Sequence, residues 1–156
     1  MDPLIFLNYP LDKKRLLTDA ILAKENSKPY TDSRYPDLYM EDWLIGHYNS
    51  EYITQIMNDF EVEGKPRYYW MKPYAVIPEH IDNGTQCSLN FVLTDNASPI
   101  TMGGIDYHYE SILLNTTVPH SVTNNEHERI MLKISIFNES YIDLAKRIKY
   151  RRNEQD

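Results

Sequence analysis

Beyond Glu63-Gly64-Lys65-Pro66 the hydrophobic period of this chain switches from helical to two, and that switch constrains its fold more than any other feature. Tyr68 to Tyr74, Ala75 to Asp82, Gln86 to Thr94, Ser111 to Asn115, Val118 to Val122 and Arg129 to Phe137 each read as a strand. Asp95-Asn96-Ala97-Ser98-Pro99 and Gly103-Gly104 read as turns. Short strands with a turn every ~8–12 residues predict an all-β sandwich or barrel. Ahead of this core, Leu4 to Leu7 predicts a short strand. Asp12 is placed to cap a helix running to about Ala23, and Ser50 a second one to about Asp59. Tyr52, Ile53, Ile56, Met57 and Phe60 give the second helix one apolar face. Residues 24 to 42, polar and carrying Pro29 and Pro36, read as an irregular connection, and the tail from Glu139 as a short helix with a frayed basic end. The expected layout is a single domain over 1–156: supporting helices and connection in 1–66, the β core in 67–137, the tail in 138–156.

At 156 residues and 18.5 kDa the chain is long enough to bury a core without disulfides. Its one cysteine, Cys87, excludes a disulfide scaffold and a multi-thiolate zinc site. With 23 acidic against 16 basic side chains, a non-specific grip on phosphates is not expected, and no nucleic-acid partner is called for. Five glycines and no Gly-rich phosphate loop argue against a nucleotide fold. No stretch approaches the ~20 apolar residues of a membrane span, and the opening residues do not read as a signal peptide, so a cytoplasmic location is expected. The 13 tyrosines suit half-wet strands and pocket walls.

Chemistry is carried by a few residues. In a strand, residues two apart share a face, so His80 and Asp82 present an imidazole and a carboxylate side by side. With a third ligand this pair would make a two-His, one-carboxylate iron(II) site; alone it reads as a strand-end hydrogen bond. His120, following Pro119, reads by itself as a strand-edge histidine. Arg129 changes the weight of both. The polar stretch Asn124-Asn125-Glu126-His127-Glu128 is a turn centred between His120 and Arg129, so the arginine returns close to the histidine. It opens the apolar run Ile130-Met131-Leu132, and an arginine entering a core strand needs a carboxylate partner.

His80-x-Asp82, then His120, then an arginine nine residues later on the final core strand, resembles the iron(II)- and 2-oxoglutarate-dependent oxygenases. His120-Ser121-Val122-Thr123-Asn124 is similar to the His-x-Val-x-Asn of the aspartyl/asparaginyl β-hydroxylase and prolyl hydroxylase branches, and the carboxylate at Asp82 favours the latter. The resemblance spans roughly residues 67 to 137, with a spacing between Asp82 and His120 that is short for the family. It implies a double-stranded β-helix, or jelly roll, with helices packed on the larger sheet. His80, Asp82 and His120 would then hold Fe(II), and Arg129 would pair with the distal carboxylate of 2-oxoglutarate. Asn90 falls where a polar residue contacts the other end of the cosubstrate, and Tyr69 where a hydroxyl assists the arginine.

The activity implied is that of a dioxygenase. Dioxygen and 2-oxoglutarate would be consumed, succinate and carbon dioxide released, and a protein or peptide side chain or an amino-acid-like small molecule hydroxylated. Two other readings remain: a non-catalytic jelly-roll binding module, and a cupin-like metalloenzyme that does not use 2-oxoglutarate and would not require Arg129. His47, His108 and His127 read as lying outside the site, and Cys87 as packing. The Tyr-rich loop 99–110 is placed to border the pocket mouth. Glu79 and Lys133 flank the site without an assigned role.

Overall fold

The computed structural model describes residues 2–31 and 40–155. The described strands are β1 (Leu4–Phe6), β2 (Lys28–Tyr30), β3 (Met40–Gly46), β4 (Lys65–Met71), β5 (Val76–His80), β6 (Cys87–Val92), β7 (Ile100–Met102), β8 (Ile105–Tyr107), β9 (Ser111–Leu114), β10 (His120–Thr123) and β11 (Arg129–Ile136). The helices are α1 (Lys13–Lys24), α2 (Glu51–Phe60) and α3 (Tyr141–Gln155). Asp12 accepts from the Arg15 amide and Ser50 from the Ile53 amide, which sets the first turns of α1 and α2 where the sequence places them.

A seven-stranded sheet runs β1-β9-β6-β11-β4-β3-β2, and a four-stranded sheet runs β5-β10-β7-β8. From β4 onward the chain shuttles between them: β4 in the large sheet, β5 in the small, β6 in the large, the β7–β8 hairpin in the small, β9 in the large, β10 in the small, β11 in the large. All pairings are antiparallel. This alternation is the jelly-roll fold of the double-stranded β-helix.

The period of two sorts each central strand between two cores. Tyr68, Trp70, Leu89, Phe91, Leu132 and Ile134 point outward, under Leu16, Ala20, Ile53, Ile56 and Leu144 of the helices. Tyr69, Met71, Ile112, Leu114 and Met131 point inward against Ile77, Ile100 and Val122 of the small sheet. Strands covered on both faces have no solvent-facing side, which is why every residue of β6 is buried, Ser88 and Asn90 included. The inward row also carries Arg129, Lys133, Asn90 and Ser88, so the polar groups of the large sheet are collected inside the sandwich.

Three stretches differ from the sequence expectation. Residues 28–30 and 40–46, within and just past the expected irregular connection, are strands that extend the large sheet. Pro29 sits on the edge strand β2, where its missing donor costs no internal ladder bond, and β3 sends Trp43 inward and Leu44 outward. The part of that connection over 32–39 lies outside the described residues. Within 99–110, β7 and β8 form a hairpin whose two turn residues, Gly103 and Gly104, have φ of 58° and 78°, as the two-residue turn with positive φ at both positions requires. The tail helix α3 continues through the basic run to Gln155 instead of fraying there. No helix among the described residues is long and apolar enough to cross a membrane.

Candidate metal centre and the cavity beside it

His80 is the last residue of β5 and His120 the first of β10, and the two are partners across the small sheet, with ring centroids 4.4 Å apart. Each ring is oriented by the chain just before it. His80 Nδ1 lies 2.8 Å from the Pro78 carbonyl oxygen, and His120 Nδ1 lies 2.9 Å from that of Val118. A carbonyl only accepts, so each Nδ1 carries the proton and each Nε2 of a neutral ring presents its lone pair. Asp82 follows β5 and is fixed by its own amide, which donates to the Thr116 carbonyl at 3.1 Å. Its Oδ1 lies 3.4 Å from His80 Nε2 and 3.2 Å from His120 Nε2. All three ligand atoms fall within 4.8 Å of one another, the one such His/Cys/Asp/Glu cluster of three among the described residues.

The other carboxylate oxygen, Oδ2, accepts from the Lys133 ammonium. Burial, the largest single influence, would raise the Asp82 carboxyl, but Lys133 together with the His120 and His80 rings outweighs it and holds the group well below the usual carboxylate range. Burial, again the largest influence, would lower Lys133, and Asp82 and Tyr69 together outweigh it in the other direction, so the pair stays ionised. Two imidazole nitrogens and an ionised carboxylate oxygen, each aimed at a common point, are a donor set that fits a divalent first-row metal, and the two-His, one-carboxylate composition suits Fe(II).

Arg129, the first residue of β11, is 2% exposed. Its Nη2 donates to the Tyr109 hydroxyl at 3.1 Å and its Nη1 to the Met131 sulfur at 3.2 Å, while Nε has no partner. The carboxylate that a buried arginine calls for is absent among the described residues: no ion pair to Arg129 is formed. The guanidinium instead lines an open cavity, about 490 Å³ of empty space counting its mouth, that His80 and His120 also line, walled by Met71, Ile77, Val122 and Met131. β10 and β11 lie in opposite sheets, so the arginine reaches the histidine's cavity by crossing the sandwich. Asn124 sets that crossing. Buried in the turn, its amide donates to the Lys72 and His127 carbonyls at 2.9 and 2.8 Å and ties the end of β4 to the start of β11.

Asn90 lines the same cavity and accepts from the Ser88 hydroxyl at 2.7 Å. Tyr69 lines it too, and a hydroxyl from Tyr109 lies within reach of Arg129. His108 and His127 stand outside the cluster, and Asp106 is engaged by Thr101 at 2.5 Å. Lys133, Tyr109 and Trp43, whose ring lies 6.3 Å from that of His80, are the site neighbours that sequence reasoning did not assign. For Lys133 a signal existed: a lysine at an inward position of an otherwise apolar strand needs a buried anion.

No protein-family profile matches the sequence, and no curated protein matches it. Solved structures do. A prolyl-4-hydroxylase of Pseudomonas putida is similar over 87% of this chain and 93% of its own, at 14% identity and a TM-score of 0.67. A viral collagen prolyl hydroxylase of Paramecium bursaria Chlorella virus 1, solved with 2-oxoglutarate, is similar over 86% of this chain and 96% of its own, at 10% identity and a TM-score of 0.58. A member of the 2-oxoglutarate–Fe(II) oxygenase family from Burkholderia pseudomallei is similar over 83% of this chain and 79% of its own, at 12% identity and a TM-score of 0.55. The chain shares its fold with these oxygenases.

Proposed function

We propose that this protein is an Fe(II)- and 2-oxoglutarate-dependent oxygenase. His80, Asp82 and His120 would hold the metal, and Arg129, assisted by Tyr109, would receive the distal carboxylate of 2-oxoglutarate. The observation that carries this reading is Arg129: a buried guanidinium with no carboxylate partner among the described residues, facing the cavity that both histidines line. A fork of that kind pairs with a carboxylate through two parallel hydrogen bonds, and the unfilled Nε is one of the donors.

When bound, the metal supplies oxidative decarboxylation of 2-oxoglutarate to succinate and carbon dioxide, coupled to oxidation of a substrate by dioxygen. The chain's own residues do the positioning. The Pro78 and Val118 carbonyls fix the rings, Lys133 holds the carboxylate ligand from behind, and Met71, Ile77, Val122 and Met131 keep water from the cosubstrate's methylene groups. Asn90 is placed to contact the cosubstrate from the large sheet. Hydroxylation of a protein or peptide side chain, or of an amino-acid-like small molecule, is the outcome we assign.

The test is turnover of 2-oxoglutarate to succinate by the purified chain with Fe(II) and oxygen, over a panel of peptides and free amino acids. Turnover that vanishes in Arg129→Ala while metal binding persists supports the reading. Metal binding with no 2-oxoglutarate affinity in the wild type would replace it by a metalloenzyme of another kind.

A further inference from the structure

A second opening borders His80 and Asp82 of the triad and shares Trp43, Tyr69 and Lys133 with the first cavity. It is open to solvent, with about 690 Å³ of empty space counting its mouth, and Tyr30 and Arg67 also line it. Arg67 on β4 and Lys133 on β11 are direct cross-strand partners, so the fold sets two cations side by side, an arrangement that repels unless an anion is shared. Lys133 has its anion in Asp82. Arg67 has none among the described residues: its Nε is buried without a partner, and its Nη2 makes one long contact, 3.5 Å to the Ser135 hydroxyl. A divalent metal at the triad and a dianionic cosubstrate on Arg129 would leave this vestibule net positive. Farther along the same large sheet, Tyr30 of β2 and Trp43 of β3 stack with centroids 4.0 Å apart and 22° between planes, a flat apolar wall of the opening.

We infer that this vestibule is the substrate subsite and that Arg67 recognises a carboxylate on the substrate, with the apolar part of the molecule lying on the Tyr30–Trp43 wall. This rests on the oxygenase reading for its chemistry and goes beyond it in naming the substrate class. The Nε and Nη2 donors lie on one edge of the guanidinium and match the two oxygens of a carboxylate. A phosphate group would call for further donors such as a glycine-rich run of free amides, and none of the five glycines lines the opening.

The test is a ligand-observed NMR binding screen on the full chain loaded with Zn(II) and saturated with 2-oxoglutarate, so that Arg129 is already occupied. The probes are N-acetyl amino acids, each paired with its primary amide, and short peptides containing Asp or Glu, each paired with its Asn or Gln counterpart. The first set reports an α-carboxylate and the second an acidic side chain. Acids in one set should bind at least tenfold tighter than their amides. Arg67→Gln should erase the preference, and Arg67→Lys should keep part of it, since the charge stays and the fork is lost. Acids and amides that bind alike or not at all, or a preference unchanged in both variants, overturn the assignment. Phenyl phosphate binding tighter than benzoate overturns the carboxylate class. Failure of the wild type to bind 2-oxoglutarate sinks the oxygenase reading instead, and the acid–amide comparison is then scored on the Zn(II) protein alone.

Discussion

Lys133 donates to Oδ2 of Asp82 and leaves Oδ1 to face the Nε2 atoms of His80 and His120. One carboxylate is thereby divided between a lysine of the large sheet and two histidines of the small one. The lysine takes one oxygen out of contention, so Asp82 is set up to ligate through the other.

Removing the lysine leaves a carboxylate buried without its counter-ion. Lys133→Met should therefore destabilise the metal-free protein by about 3–5 kcal/mol, read from urea unfolding. Metal should recover part of that loss, because the ion supplies the missing positive charge.

The depressed Asp82 carboxyl makes stability depend on acid. A group whose folded pKa lies below its unfolded one supports the fold above the ordinary carboxylate value of about 3.9 and loses that support as pH falls beneath it. Urea midpoints of the metal-free protein should fall below about pH 4. Asp82→Asn should flatten that acid limb.

On the proposed reading, His80→Ala and His120→Ala each delete one of three candidate ligand atoms. Co(II) affinity by titration should drop at least ~100-fold in either, since outer partners of metal ligands alone are worth about 10–100-fold. The two losses should be similar in size, given the matching ring supports at 2.8 and 2.9 Å.

Arg129 sets stability against binding. Arg129→Ala should weaken 2-oxoglutarate by about 2–5 kcal/mol, and Arg129→Lys should recover part of it. Arg129→Met should do the opposite to the ligand-free fold, raising stability by about 1–3 kcal/mol, because an under-satisfied buried group is replaced by an apolar one of similar length. Calorimetric melts with and without 2-oxoglutarate check both halves.

Cys87 is fully buried, and burial pushes its thiol up to about 12. The native protein should resist a thiol reagent at pH 8 and react only as it unfolds. Stability should fall as pH rises from the ordinary thiol range near 8.5 toward 12, since the unfolded chain releases this proton first.

The core strands and two helix starts were legible because they depend on local signals: alternation in β4, β6 and β11, and side-chain caps at Asp12 and Ser50. β2 and β3 were hidden because a proline on an edge strand and acidic residues ahead of Trp43 mask alternation, and their pairing is decided by a distant strand. The residues that converge in the candidate site, His80, Asp82, His120 and Arg129, are those the family resemblance points to. For Lys133 the need for an anion was legible but the partner was not, because Asp82 lies 51 residues away in sequence. Tyr109 was not legible, because a loop residue shows no periodicity.

The pairing of His80 with His120 across β5 and β10, next to a register shift just beyond His120, gives the small sheet an unusual dependence. An ion held by both rings would act as an extra rung in a four-stranded ladder whose own hydrogen bonds are interrupted at that point. Losing the ion would remove that rung and loosen the two strand ends. Metal occupancy and the breathing of this sheet are then linked, and the β5 and β10 amides near His80 and His120 would exchange with solvent faster in the metal-free protein than in the loaded one.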